Sequence, residues 1–394
     1  MDPTRNPYTP GAGRTPPALV GRASELSAGD LLVQRTASGL SGRSMMLYGL
    51  RGVGKTVLLN ELRRRADAAG WLTAMVEAKH DRKGADQARA RLARELTSAA
   101  RSAQPWRTKA SDKVKAALGT IESFSVKAGV GPFSATATVA PSGRAASGNL
   151  ELDLEDLVAD VVPALRESSI AMALFIDEIQ DLDASMLSAL LSAQHRAAQN
   201  DWPFYVFGAG LPVVPATLAE ARSYAERQFD YRHIDRLSAE DARTALASPA
   251  ATAGARFDPE ALDLLLGSAH GYPYFLQVYG DQAWQCSPNS PIQVGDARLA
   301  IELGTDELDR SLFASRWERA TPKQKQLMAA MAVDAAPSTV ADLVTRLGKR
   351  KPSDLSVFRD ELIKKGLIYA PERGLLDFTV PLMADFIQRH SNEL

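Results

Sequence analysis

The sequence predicts an α/β fold: a parallel sheet built around a phosphate-binding loop, then a helical lid and a C-terminal winged-helix domain. Three stretches carry that expectation. Residues 44–70 read as strand, glycine loop and helix. Residues 170–180 read as a buried strand ending in two carboxylates. Residues 315–394 read as three helices followed by a short hairpin.

The first stretch opens with the apolar run Met45-Met46-Leu47-Tyr48. It continues with Gly49-Leu50-Arg51-Gly52-Val53-Gly54-Lys55-Thr56, which fits G-x-x-x-x-G-K-[ST]. Val57, Leu58, Leu59 and Leu62 then share one helical face. Arg63, Arg64 and Arg65 suit the last turns, where the helix dipole favours positive charge, and Gly70 suits the C-cap. The glycines let backbone N–H groups approach phosphate oxygens, and a helix N-terminus favours the same anion. Lys55 is placed to reach the β- and γ-phosphates and Thr56 to ligate Mg²⁺, so ATP with Mg²⁺ is the expected ligand. Residues 49–56 together with Val57 form the expected binding segment.

The second stretch, Ile170 to Gln180, is a continuous apolar run that ends Phe175-Ile176-Asp177-Glu178. Such a run fits a strand buried on both faces of a parallel sheet, and ligands of open α/β sheets bind at the carboxyl ends of the strands. Asp177 is expected to hold the Mg²⁺ through water, and Glu178 to polarise an attacking water.

Composition bounds the remainder. A chain of 394 residues exceeds one core, so two or three domains are expected. The formal net charge is −1, which confines any nucleic-acid surface to a local patch. One cysteine, Cys286, excludes an intramolecular disulfide and a cysteine metal cluster. No apolar run approaches the ~18 residues of a membrane span, and no apolar leader opens the chain. A cytoplasmic location without a membrane partner is the expectation.

In chain order, Pro- and Gly-rich residues 1–17 read as a disordered arm. Residues 18–236 read as the core domain. A helix is expected from Ser24, its candidate N-cap, to Ser38. A strand is expected over Trp71–Val76 and a helix over Ala85–Ala103. Residues 121–140 read as a β-hairpin insertion, with arms Phe124–Val130 and Phe133–Val139 around Gly131-Pro132. That hairpin either touches DNA or a neighbouring subunit, or packs locally. A helix is expected over Leu150–Glu167, its apolar spacing interrupted at Pro163. A further helix covers Ala184–Gln199, a strand Pro203–Phe207 and a helix Pro215–Arg222. Arg222, Arg227 and Arg232 follow. Arg227 is the candidate to reach a neighbour's γ-phosphate in a homo-oligomer; the alternative is a solvated surface arginine.

Residues 237–312 read as a helical lid with a sharp helix start at Gly271-Tyr272-Pro273. Tyr272, Tyr274 and Phe275 are expected in the core, and His270 has no partner at metal-ligand spacing. Residues 315–394 read as the winged-helix domain: helices from Pro322, Pro337 and Pro352, then the strands Leu367–Ala370 and Leu375–Val380. Arg346, Lys349, Arg350, Lys351, Arg359, Lys364 and Lys365 crowd its third helix. Double-stranded DNA bound through residues 338–380 is the favoured partner, with protein contact the alternative.

Together these stretches resemble the AAA+ ATPases of the origin-recognition-like clade and their relatives near the STAND group. The resemblance rests on Leu19-Val20-Gly21-Arg22 with Glu25-Leu26, on Gly49–Thr56, on Phe175–Gln180 and on Gly271-Tyr272-Pro273, and spans about residues 18–310. It implies that Val20, Gly21 and Arg22 pack against adenine, and that the lid closes on the nucleotide through Pro273. Initiator-type relatives carry a polar sensor at the end of the fourth strand, where this chain has Gly208-Ala209-Gly210. They also often carry a lid arginine, absent from His270-Gly271-Tyr272-Pro273. Both departures imply a slow switch rather than a motor, acting either as a hydrolase, as an ATP-liganded DNA-binding regulator, or as a signalling scaffold that holds protein.

Overall fold

The computed structural model describes residues 1–11, 13–79, 84–102, 112–130, 145–334 and 337–390. The chain divides into two compact units. One comprises Ala23–Tyr48 and Lys55–His233; the other comprises Met1–Arg22, Gly49–Gly54 and Ile234–Leu394.

The first unit is an α/β layer structure on a five-stranded parallel sheet. Its strands are β1 (Ser44–Tyr48), β2 (Leu72–Glu77), β3 (Met172–Asp177), β4 (Phe204–Gly210) and β5 (Phe229–His233), in the order β2-β3-β4-β1-β5. Every residue of β3 and β4 is buried, as a central parallel strand requires. Register sets Tyr48 beside Gly210 and Ile176 beside Gly208, so the ends of β1, β3 and β4 lie at one edge of the sheet. Helices Lys55–Ala68, Leu150–Arg166 and Ala184–Gln199 contribute buried apolar faces; the first and third pack on the strands, and the second packs on the third. Pro163 lies inside the second of these without interrupting it. The first helix begins at Ala23, so Ser24 is not its cap; the Ser24 hydroxyl instead accepts from Arg232 Nη1 at 3.1 Å.

The expected hairpin is not formed in its first arm. Asp112–Lys127 is a helix. Val114, Ala117, Leu118, Ile121 and Phe124 are buried at i, i+3, i+4, i+7 and i+10, and Ser125 turns its hydroxyl back to the Ile121 carbonyl at 2.8 Å. The second arm, Phe133–Val139, lies outside the described residues.

The second unit has helices Ala239–Thr252, Pro259–Ala269, Pro273–Cys286 and Val294–Leu308 around one apolar core. The N-terminal arm is part of it rather than disordered. Tyr8 is 4% exposed and gives its hydroxyl to the Leu246 carbonyl at 2.5 Å. Trp284 Nε1 donates to the Asp2 carbonyl at 2.8 Å, and Asn6 Nδ2 to Asp281 Oδ1 at 2.8 Å. The arm's Pro- and Gly-rich composition signals disorder, but the buried Tyr8 and the hydrogen bonds with Leu246, Asp281 and Trp284 help to offset the ordering entropy.

The tail continues the same core. Phe313 lies 6.4 Å from Phe275 and stacks on Phe386 at 5.5 Å, so the expected boundary at residues 312–315 falls inside packed side chains. The tail runs helix Pro322–Met331, β6 (Ser338–Thr339), helix Val340–Arg346, helix Ser356–Lys364, β7 (Ile368–Tyr369), β8 (Leu375–Phe378) and helix Met383–Arg389. Its antiparallel sheet has the order β6-β8-β7. Among the described residues, no helix is long and apolar enough to cross a membrane.

Candidate functional site

Within the sheet unit, two strand ends converge. Lys55 and Thr56 open the helix that follows β1, and Asp177 and Glu178 close β3. The Thr56 hydroxyl donates to Asp177 Oδ2 at 2.7 Å, and the Glu178 N–H donates to Asp177 Oδ1 at 3.0 Å. Lys55 is 8% exposed and Asp177 8% exposed, so both charges are held away from bulk water. Burial raises the Asp177 carboxyl above its ordinary range and the adjacent Glu178 raises it further. The Thr56 hydroxyl, the Glu178 N–H and the Lys55 ammonium oppose that shift. A buried acid beside a second acid, with a hydroxyl against it, is a donor set that suits a hard divalent cation. Among the described residues, no group of three or more His, Cys, Asp or Glu could hold a metal. One carboxylate and one hydroxyl fit Mg²⁺, which keeps waters and takes phosphate oxygens for its other positions.

Glu178 itself is left-handed, at φ 50° and ψ 44°, a conformation that a side chain adopts only when its surroundings hold it there. Gln180 is the neighbour that sequence reading passed over. Its Nε2 donates to Glu178 Oε2 at 2.7 Å, and its Oε1 accepts from the Leu211 N–H at 3.0 Å. The only sequence signal was the polar residue two places after Glu178, facing a strand end made of glycines.

The loop residues Gly49–Gly54 belong to the helical unit. Gly52 and Gly54 have φ of +81° and +92°, which L side chains rarely adopt. Open space surrounds the Cβ position of Gly54, as a backbone cradle for an anion requires. Val53 is buried, Leu50 and Arg51 flank the turn, and Val57 is half-buried on the following helix. Three contacts brace the loop. Arg22 Nη2 donates to the Val53 carbonyl at 2.9 Å and to the Asp235 carbonyl at 2.6 Å, while Nη1 donates to Gly21 at 3.0 Å. The Tyr274 N–H, one residue into the helix that Pro273 begins, donates to the Gly52 carbonyl at 3.3 Å. The Arg51 N–H donates to the Thr379 carbonyl at 3.0 Å, a contact from the tail that nothing in the sequence signalled. Gly21 lies against Leu237, and Val20 packs on the same core.

Arg227 is not brought to the strand ends within this chain. It is exposed on the short helix Ala225–Gln228, which leads into β5. Phe229 pairs with Ser44, so Arg227 sits at the amino edge of the sheet, opposite the edge where β1 ends. Arg222 is engaged with Glu151, at 2.8 Å to each carboxylate oxygen, and Arg232 with Asp230.

The sequence matches the family model described as AAA ATPase domain over residues 18–207. A second model, described as a domain of unknown function (DUF8462), matches residues 310–387. No curated protein matches the sequence. Among solved structures, the chain is similar to a Walker-type ATPase of Pyrococcus abyssi, with a TM-score of 0.64 at 13% identity over 94% of this chain and 96% of that one. It is also similar to the Aeropyrum pernix ORC2 protein in its ADP form, with a TM-score of 0.53 at 17% identity over 96% and 97% of the two chains. These likenesses establish a shared P-loop α/β fold. The stretch matched by the AAA ATPase domain model covers Thr56, Asp177, Glu178 and Gln180, and ends within β4.

Proposed function

We propose that this chain is a Mg²⁺-dependent ATPase that works as a slow nucleotide-dependent switch. The observation that carries the reading is the 2.7 Å hydrogen bond from Thr56 to Asp177, which joins the end of the phosphate loop to the end of the buried strand. Thr56 and Asp177 hold the cation, directly or through water, and Lys55 neutralises the β- and γ-phosphates. Bound Mg²⁺ supplies charge neutralisation on the transferring phosphoryl group. Glu178 orients the attacking water. Arg227, from a second copy of the chain, stabilises developing charge; in its own chain it lies at the sheet edge opposite the end of β1. Val20–Arg22 line the base, although the Arg22 guanidinium is committed to the Val53 carbonyl of the loop and to the Asp235 carbonyl.

Residues 18–236 serve as the core, 237–312 as the lid and 315–394 as a winged helix. The helix–strand–helix–helix–strand–strand order of the tail supports that last reading. Because Phe275, Phe313 and Phe386 share one core, lid and tail respond to nucleotide as one body. The Arg51–Thr379 hydrogen bond supports a direct link between loop and tail. Double-stranded DNA is the proposed cargo, met by exposed Lys349, Arg350, Lys351 and Lys364. A second reading, a tail that holds protein, is favoured by cations already engaged: Arg346 grips Asp334 with two bonds of 2.6 Å, Arg359 pairs with Asp360, and Lys365 donates to Gln324. The site is proposed to act in the cytoplasm. Lys55→Ala should abolish binding of a fluorescent ATP analogue; wild-type affinity in that variant would overturn the reading.

A further inference from the structure

The end of β4 offers no polar side chain of its own, because Gly208, Ala209 and Gly210 occupy it. A polar group nevertheless stands there. The Gln180 amide spans from the Leu211 N–H, just past β4, to the Glu178 carboxylate, just past β3. Only the amide oxygen can accept from the Leu211 N–H, so that bond fixes the amide's orientation and turns its NH₂ toward Glu178. Gly210 is the condition for this arrangement. A Cβ there would lie 2.2 Å from Gln180 Oε1 and 2.5 Å from Val214 Cγ2. The bare strand end and the intruding amide are therefore one feature: the glycine makes the space, and Gln180 fills it from the neighbouring turn.

We infer that Gln180 is a positioning residue that fixes the Glu178 carboxylate relative to the end of β4. This rests on the proposed role of Glu178 in orienting water for hydrolysis. A carboxylate on a flexible stem, carried by a left-handed residue, has several orientations open to it. A charge-assisted donor anchored to the sheet backbone selects one. The departure at Gly208-Ala209-Gly210 is then a relocation of the polar group to the β3 turn, not its loss.

Two variants of the full-length chain separate this from a merely structural role. Gln180→Ala removes both bonds. Gln180→Glu keeps an oxygen for the Leu211 N–H but loses the donor to Glu178. The expected result is a fall in kcat of at least about tenfold in both, with KM for ATP and Kd for a non-hydrolysable ATP analogue within about twofold of wild type. Hydrogen exchange at the Leu211 N–H, measured without nucleotide, should speed up in Gln180→Ala and stay slow in Gln180→Glu. Wild-type turnover in Gln180→Glu, or unchanged Leu211 protection in Gln180→Ala, overturns the inference alone. A wild-type chain that never turns over ATP overturns both it and the hydrolytic reading.

Discussion

Replacing Arg22 by Ala tests whether that side chain braces the phosphate loop or serves the base. Arg22 is 8% exposed, and its guanidinium joins two distant carbonyls, Val53 at 2.9 Å and Asp235 at 2.6 Å. A hydrogen bond to a charged group contributes about 1.5–3 kcal/mol, so two contribute about 3–6 kcal/mol. Freeing the arginine side chain returns about 2 kcal/mol of rotamer entropy. The net expectation is a loss of roughly 1–4 kcal/mol in the nucleotide-free protein. Little of it is screened, because the group is buried. Arg22→Lys keeps the charge but cannot fork, so it should recover no more than about half of the loss. Urea unfolding without nucleotide, followed by circular dichroism, reads the change. If Arg22→Ala unfolds at the wild-type midpoint while its ATP affinity falls, the guanidinium acts on the ligand and the bracing account is wrong.

Two further outcomes follow from the tail. Burial raises the Asp377 carboxyl above its ordinary value of 3.8, opposed by hydrogen bonds from the Phe378 N–H and from Tyr369. The folded chain then holds this proton to higher pH than the unfolded chain, so the charged form costs stability above the raised value, and that cost vanishes below 3.8. Asp377→Asn should thus stabilise the protein at neutral pH, with the gain shrinking on acidification; thermal melts across pH check it, and a pH-independent effect counts against it. For DNA, changing Lys349, Arg350 and Lys351 to Glu should weaken binding at every sequence. It should also flatten the slope of log K against log salt by about 0.9 per lost phosphate contact. A slope equal to wild type in filter binding would move the cargo reading from DNA to protein.

What was legible in the sequence was what local chemistry over-determines. β1, β3 and β4 are continuous apolar runs, and the turn after β1 needs glycines whatever it binds. β5 was missed because Phe229–His233 is an edge strand whose middle residues are only half-buried, so no apolar run announces it. The last turn of the helix Asp112–Lys127 is misread as strand because Phe124-Ser125-Val126 alternate over too short a window; the helical period shows only when the residues from Val114 are included. The ordered N-terminal arm depends on Tyr8 finding a slot beside Gly280, a long-range fit that composition cannot express. At the site, residue types and strand ends were readable. The Gln180 bridge, the Arg22 brace and the Arg51–Thr379 contact were not, since each joins segments that meet only in the fold.

Glu178→Gln measures the central claim most directly. Purified full-length protein, wild type and variant, would be assayed for nucleotide affinity and for Mg²⁺-dependent phosphate release. The account predicts slow release by wild type, near-wild-type ATP affinity in the variant, and release from the variant reduced by about 100-fold or more. Hydrolysis by Glu178→Gln at the wild-type rate would contradict it.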